Sequence, residues 1–147
     1  LDLFAGTGAL GLEALSRGAV SADFVENGAA ALHALKANVA ALRLKKRTRI
    51  FKKDVFEFIE GIGGRHGRPS EEKPRYSVAF ADPPYTSRAA ERLAELWLKR
   101  PFSAILSIEH AADRTLPGRG SRRRFGDSAV TTFRMSRAGT RRSRGRA

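Results

Sequence analysis

The chain has 147 residues, a hydrophobic fraction of 41%, no cysteine and a formal net charge of +13. That length suits one domain with a core that needs no covalent or metal staple. The missing cysteines exclude a disulfide framework, a thiolate metal site and a cysteine nucleophile.

The first segment, Leu1 to Ala5, is apolar apart from Asp2 and reads as a buried strand. Gly6-Thr7-Gly8 makes a turn. A helix follows from Ala9 to Arg17, with Leu10, Leu12 and Leu15 on or near one face and Gly18 as its stop. Ala22 to Val25 is a second strand, and Ala29 to Leu42 a helix with Leu32, Leu35, Val39 and Leu42 at helical spacing. Arg49 to Lys52 is a third strand, leading to Asp54 and a short helix over Val55 to Ile59. Gly61 to Arg75, rich in Gly, Pro and charge, reads as a mobile loop. Tyr76 to Ala81 is a fourth strand, Ser87 to Leu98 an amphipathic helix and Ser103 to Glu109 a fifth strand. Arg122 to Phe125 and Val130 to Met135 are expected to close the fold as a hairpin around Gly126-Asp127-Ser128. The alternation of strands and helices implies an α/β fold, with a mostly parallel sheet covered on both faces and a C-terminal antiparallel hairpin. Domain bounds of 1–136 follow, with 137–147 as a disordered Arg-rich tail.

The positive charge is unevenly placed. Residues 117–147 hold ten arginines against one aspartate, and a second cluster runs through Arg43, Lys45, Lys46, Arg47, Arg49, Lys52 and Lys53. Such clusters attract polyanions; a solvated face and tail is the plainer alternative. No apolar run reaches the length of a membrane span, and no signal-peptide pattern opens the chain. His33, His66 and His110 fit no metal motif and are expected on surfaces or loops, so no metal is expected. The only methionine is Met135 and the chain opens inside a strand, so an N-terminally truncated protein is expected, any targeting signal lost with the missing segment.

Crossover handedness puts every loop that follows a strand on one sheet edge, where such folds bind ligands. Two constellations fall there. In Gly6-Thr7-Gly8-Ala9-Leu10-Gly11, glycines permit a sharp turn and close approach to a ligand, and the next helix offers free amides. Glu26, at the end of the second strand, is placed to accept hydrogen bonds from two ribose hydroxyls, and Asp54 ends the third strand near where an adenine would lie. The candidate cofactor residues are Asp2, Ala5, Gly6, Thr7, Gly8, Glu26, Asn27, Asp54 and Val55. The glycine pattern alone fits a dinucleotide fold as well as a methyltransferase fold.

Asp82-Pro83-Pro84-Tyr85 decides between them. Two prolines fix the backbone, remove two amide donors and leave nearby carbonyls free; Asp82 adds a carboxylate and Tyr85 an aromatic face. A conjugated exocyclic amine is a poor nucleophile. Two acceptors that hold its hydrogens would turn its lone pair toward a sulfonium methyl, while Tyr85 stacks on the base. Asp82, Pro83, Pro84 and Tyr85 are therefore the candidate catalytic residues, and S-adenosyl-L-methionine the candidate cofactor.

The run from Asp2 to Ala19, then Phe24-Val25-Glu26, then Asp82 to Tyr85, resembles the RsmD-like family of bacterial 16S rRNA guanine-N2 methyltransferases. The likeness extends from Leu1 to about Glu109, and Arg124 to Val130 resembles that family's closing hairpin. The resemblance implies a Rossmann-like S-adenosylmethionine-dependent methyltransferase fold. It places Gly6 and Gly8 by the methionine moiety, Glu26 on the ribose, Asp54 by the adenine and Asp82 to Tyr85 on a guanine. It implies ribosomal RNA, within a small ribosomal subunit, as partner, and a cytoplasmic location; a monomer is the default. The sequence departs from the family's pattern in lacking a basic segment before the first strand, in the plain Asn27 to Ala30 stretch, in the 61–75 loop, in the short 109–122 link and in the Arg-rich end. Competing readings are an amino-methyltransferase acting on DNA adenine or a protein amide, a nicotinamide-dependent oxidoreductase, which leaves Asp82 to Tyr85 unexplained, and a non-catalytic RNA-binding module.

Overall fold

The computed structural model describes residues 1–63 and 74–135. Seven strands form one sheet in the order β3-β2-β1-β4-β5-β7-β6. In chain order the elements are β1 (Asp2–Leu3), α1 (Ala9–Ser16), β2 (Ala22–Glu26), α2 (Ala29–Ala41), β3 (Thr48–Lys52), α3 (Val55–Gly63), β4 (Tyr76–Ala81), α4 (Ala89–Lys99), β5 (Ser103–Ala111), β6 (Ser121–Phe125) and β7 (Ser128–Arg134). The first five strands pair in parallel; β7 runs antiparallel to both β5 and β6. The expected hairpin therefore forms, but its second strand is the one that joins the sheet, leaving β6 as the outer edge.

Side-chain alternation sorts the core into two layers. On one face Leu3, Val25, Ala79, Leu106 and Ile108 pack against Val55, Phe58 and Ile59 of α3 and Leu93, Ala94 and Trp97 of α4. On the other, Phe24 packs with Leu15 of α1 and Leu35 and Val39 of α2. Burying each of the larger of these side chains contributes about 1.5–3 kcal/mol. The Trp97 indole N–H donates to the Ser103 carbonyl oxygen at 2.9 Å, tying α4 to the start of β5.

The structure departs from the sequence reading at several positions. Leu10 is exposed, and Gly11 and Leu15 are the buried residues of α1. Leu42 is also exposed, because α2 has already ended: Leu44 N–H bonds the Val39 carbonyl and Arg43 N–H that of Ala40, with Arg43 at φ 58. Residues 61–63 continue α3 rather than starting a loop; 64–73, with His66, lie outside the described residues, as does the 137–147 tail.

His33 is exposed as expected, but His110 is buried. It shares the inward face of β5 with Leu106 and Ile108, and its two ring nitrogens bond the Ala111 carbonyl and the Thr131 hydroxyl at 2.9 and 2.8 Å. The Arg43–Lys53 cluster is not all available to polyanions either. Arg49 forks onto buried Asp23 at 2.7 and 2.6 Å, and Arg47 donates to the Ala19 and Val20 carbonyls.

Candidate active site

The chain leaves β1 toward β2 on one side and returns to β4 on the other, so the sheet's topological switch point lies between β1 and β4. Loops diverge there and open a crevice at the carboxyl ends of the strands. Leu3 pairs with Ala81 and with Val25, so Phe4 to Gly8, Asp82 to Tyr85 and Glu26 emerge side by side.

The loop after β1 is held by left-handed backbone at Phe4 (φ 56), Gly6 (φ 55) and Gly8 (φ 86). A side chain at Gly6 would meet nothing within 4 Å, so its glycine serves the backbone angle and leaves the crevice open. At Gly11 the need is steric. A Cβ there would enter the Phe24 ring and come 3.1 Å from an Asp2 carboxylate oxygen. Phe4, a bulky residue at positive φ, carries backbone strain of order 1 kcal/mol. It lines a small cleft with Glu26, Asn27, Lys53, Asp54 and Val55. Four of the candidate cofactor residues thus share one cleft. Ala5 and Gly8 are buried behind the loop, and Thr7 is at the surface, its carbonyl accepting from the Asn38 side chain at 3.0 Å.

The carboxylates of this edge are already engaged with backbone. Glu26 accepts from Gly6 N–H (2.8 Å), Asn27 N–H (2.9 Å) and Gly28 N–H (2.7 Å), which fixes its orientation beside the cleft. Asp54 caps α3, its Oδ1 accepting from Phe56 and Glu57 N–H at 2.8 and 3.2 Å. Asp2 is 1% exposed and accepts the Gly11 N–H at 2.8 Å, so this amide of α1 is engaged, contrary to the expectation of free amides at the start of that helix. Burial, opposed by that hydrogen bond, raises the Asp2 pKa from 3.8 to about 7, and the charges of Asp82 and Glu26 push the same way.

At the end of β4, Pro83 is buried while Asp82, Pro84 and Tyr85 are exposed. Although Asp82 is exposed, partial desolvation among the strand ends raises its pKa, with the charge of Glu109 second. The Pro84 carbonyl is not free: it accepts from Ser87 N–H (3.1 Å) and Ser87 Oγ (2.8 Å). The Tyr85 hydroxyl donates to Glu109 Oε1 at 2.6 Å, and that bond, with desolvation second, raises its pKa. Glu109, Phe4, Lys53 and Asn38 were not among the sequence candidates. Glu109 was marked only by its place at the end of a strand on the ligand edge.

The model of the family described as "Conserved hypothetical protein 95" matches residues 1–130. The chain belongs to this family, the RsmD-like one. Two RsmD-like relatives are named ribosomal RNA small subunit methyltransferase D. The Escherichia coli protein is 32% identical over 122 residues, 80% of this chain and 55% of its own length. The Haemophilus influenzae one is 30% identical over 122 residues, 79% of this chain and 58% of its own. The chain thus spans little more than half the length of these relatives. Among solved structures, a Thermus thermophilus protein superposes with a TM-score of 0.75 at 32% identity, covering 91% of this chain and 73% of that one. An S-adenosylmethionine-dependent methyltransferase of Agrobacterium tumefaciens shares the fold at a TM-score of 0.60 and 20% identity, covering 78% and 38%. The methyltransferase fold expected from the sequence is therefore the fold observed.

Proposed function

We propose that this RsmD-like chain carries the catalytic machinery of an S-adenosylmethionine-dependent methyltransferase that modifies the N2 amine of a guanine in small-subunit ribosomal RNA. The observation that carries it is the register of β1 on β4, which sets the Asp82 to Tyr85 turn against the glycine loop and Glu26. The relatives' names support the RNA substrate. A ribosomal substrate would place the work in the cytoplasm.

The residues present fit the cofactor. Glu26 is oriented to take ribose hydroxyls on its remaining lone pairs, and Asp54 and Val55 would flank the adenine, in a cleft that Phe4 walls. Burial is the main cause of the raised Asp2 pKa, and the charges of Asp82 and Glu26 lie close enough to add to it. This negative field suits a sulfonium and an ammonium group, and it opposes the pyrophosphate of a dinucleotide. When bound, S-adenosylmethionine supplies an activated methyl group.

Asp82 accepts one hydrogen of the guanine amine, and a main-chain carbonyl of Asp82 or Pro83 accepts the other, since that of Pro84 is committed to Ser87. The nitrogen lone pair then faces the methyl carbon. The proton that the amine nitrogen gives up on accepting the methyl group would pass to the Asp82 carboxylate or to water. Tyr85 stacks on the flipped base, its ring angle held by Glu109. Rate acceleration comes mainly from alignment and preorganised acceptors. The test is transfer of labelled methyl to small ribosomal subunits lacking the modification, beside naked rRNA and duplex DNA. Label on guanine N2 of the subunit is expected; label in DNA alone would move the assignment to an adenine amine.

A further inference from the structure

The closing hairpin carries an aromatic residue and an arginine on the same sheet face as Tyr85. Paired residues of neighbouring strands point to one face. The Tyr85 hydroxyl bonds Glu109; Glu109 pairs with Val130 and Val130 with Arg123. In the next row out, Ala111 pairs with Ser128 and Ser128 with Phe125. Arg123 and Phe125 therefore project from the Tyr85 face, two strand spacings from β5, or roughly 10 Å. Phe125 is 60% exposed and Tyr85 40%, unusual for aromatic side chains in a domain with a well-filled core.

The tip holding them is braced. Gly126 turns at φ 61, the Arg124 guanidinium donates to the Gly126 carbonyl at 2.9 Å, and Arg122 bonds the Ala112 carbonyl. The Ala112 N–H donates to the Asp127 carbonyl at 2.9 Å, fastening the turn to the end of β5. A stacking platform gains from such rigidity, because less freedom is lost on binding.

We propose that the β6–β7 tip is a second RNA-contact site, on which Phe125 stacks a nucleotide flanking the target base while Arg123 meets its phosphate. The proposal rests on the acceptor reading for Tyr85. A ring beside a basic residue fits single-stranded nucleic acid, since every base has a π-face and every linkage a charge. The spacing from Tyr85 suits a neighbouring nucleotide, not the flipped base itself. A flanking contact strengthens substrate binding and leaves the transfer step unchanged.

The test uses the full chain with Phe125→Ala, Arg123→Ala and Phe125→Trp. Binding of a fluorescent single-stranded oligoribonucleotide is measured by anisotropy beside methyl transfer to small subunits. Phe125→Ala is expected to weaken oligonucleotide binding and raise the subunit KM about tenfold, with kcat and cofactor affinity unchanged and Phe125→Trp close to the parent. Arg123→Ala is expected to weaken binding and flatten its salt dependence. Unchanged binding in both alanine variants, or a loss that falls on kcat alone, overturns the proposal. If the parent chain transfers no methyl to RNA, the acceptor reading fails, while the binding arm still decides whether the tip holds a single strand.

Discussion

Asp82 and Glu109 carry opposite burdens in the site. In the proposed reaction an ionised Asp82 is the stronger acceptor for an amine hydrogen, yet desolvation and the charge of Glu109 both raise its pKa. The same Glu109 carboxylate receives the Tyr85 hydroxyl. Asp82→Ala is expected to cut methyl transfer at least ~100-fold while leaving the cofactor dissociation constant within about twofold, as read by labelled transfer and calorimetry. Unchanged turnover would remove Asp82 from the mechanism. Glu109→Gln keeps an acceptor for Tyr85 and deletes the charge. Because that charge raises the Asp82 pKa, its removal lowers it, so the acid limb of the rate–pH profile is expected to move to lower pH. A profile that does not move would show that the limb belongs to another group. The sequence marks Asp82 and Tyr85 plainly, because they adjoin prolines at a strand end. Glu109 lies 24 residues from Tyr85 and is joined to it only across the sheet.

The elements were legible wherever local spacing and burial agree. β4 runs from Tyr76 to Ala81 as expected, and α1 and α2 differ from expectation by a residue at their ends. The misread positions were those where tertiary packing decides. The leucine spacing of α2 suggested that Leu42 faces the core, but the helix ends one residue earlier, at Ala41, and closes over Arg43. That closure has a cost. A left-handed residue with a Cβ loses about 1 kcal/mol relative to glycine, offset in part by glycine's greater freedom when unfolded. Arg43→Gly is therefore expected to stabilise the chain by about 0.5–1 kcal/mol, measured as a rise in denaturant midpoint at constant slope. A fall would mean that Arg43 makes a compensating contact. His110 was misread for the same kind of reason: its neighbours at 106 and 108 mark a buried strand face, but only β7 supplies the Thr131 hydroxyl that satisfies it.

At the scale of the whole molecule, the buried carboxyl of Asp2 couples stability to pH. Its folded pKa, about 7, lies above the 3.8 of an ordinary aspartate. The folded state thus holds a proton that the unfolded state has released. The associated stability is complete below about pH 4 and is lost as pH rises through about 7. Thermal unfolding is expected at lower temperature at pH 8 than at pH 5.5. Asp2→Asn, which can still accept the Gly11 N–H, should flatten that slope, and a wild-type slope in the variant would assign it elsewhere. A cationic cofactor beside Asp2 would favour its ionised form and oppose the trend.

By itself the sequence determined the order of elements, the parallel sheet, and the two motifs at the ligand edge. Those properties follow from residue periodicity and from glycines and prolines acting on adjacent backbone. Only the tertiary structure decided which polar groups meet. Strand register brought Tyr85 to Glu109, placed Phe125 and Arg123 on the Tyr85 face, and paired Arg49 with Asp23. Asp54 became a helix cap as well as a cleft residue, and Glu26 was pinned by three amides. The physical reason is range. Helix and strand signals act over a few residues, whereas the charge, burial and hydrogen bonding of a site come from segments that only folding brings together.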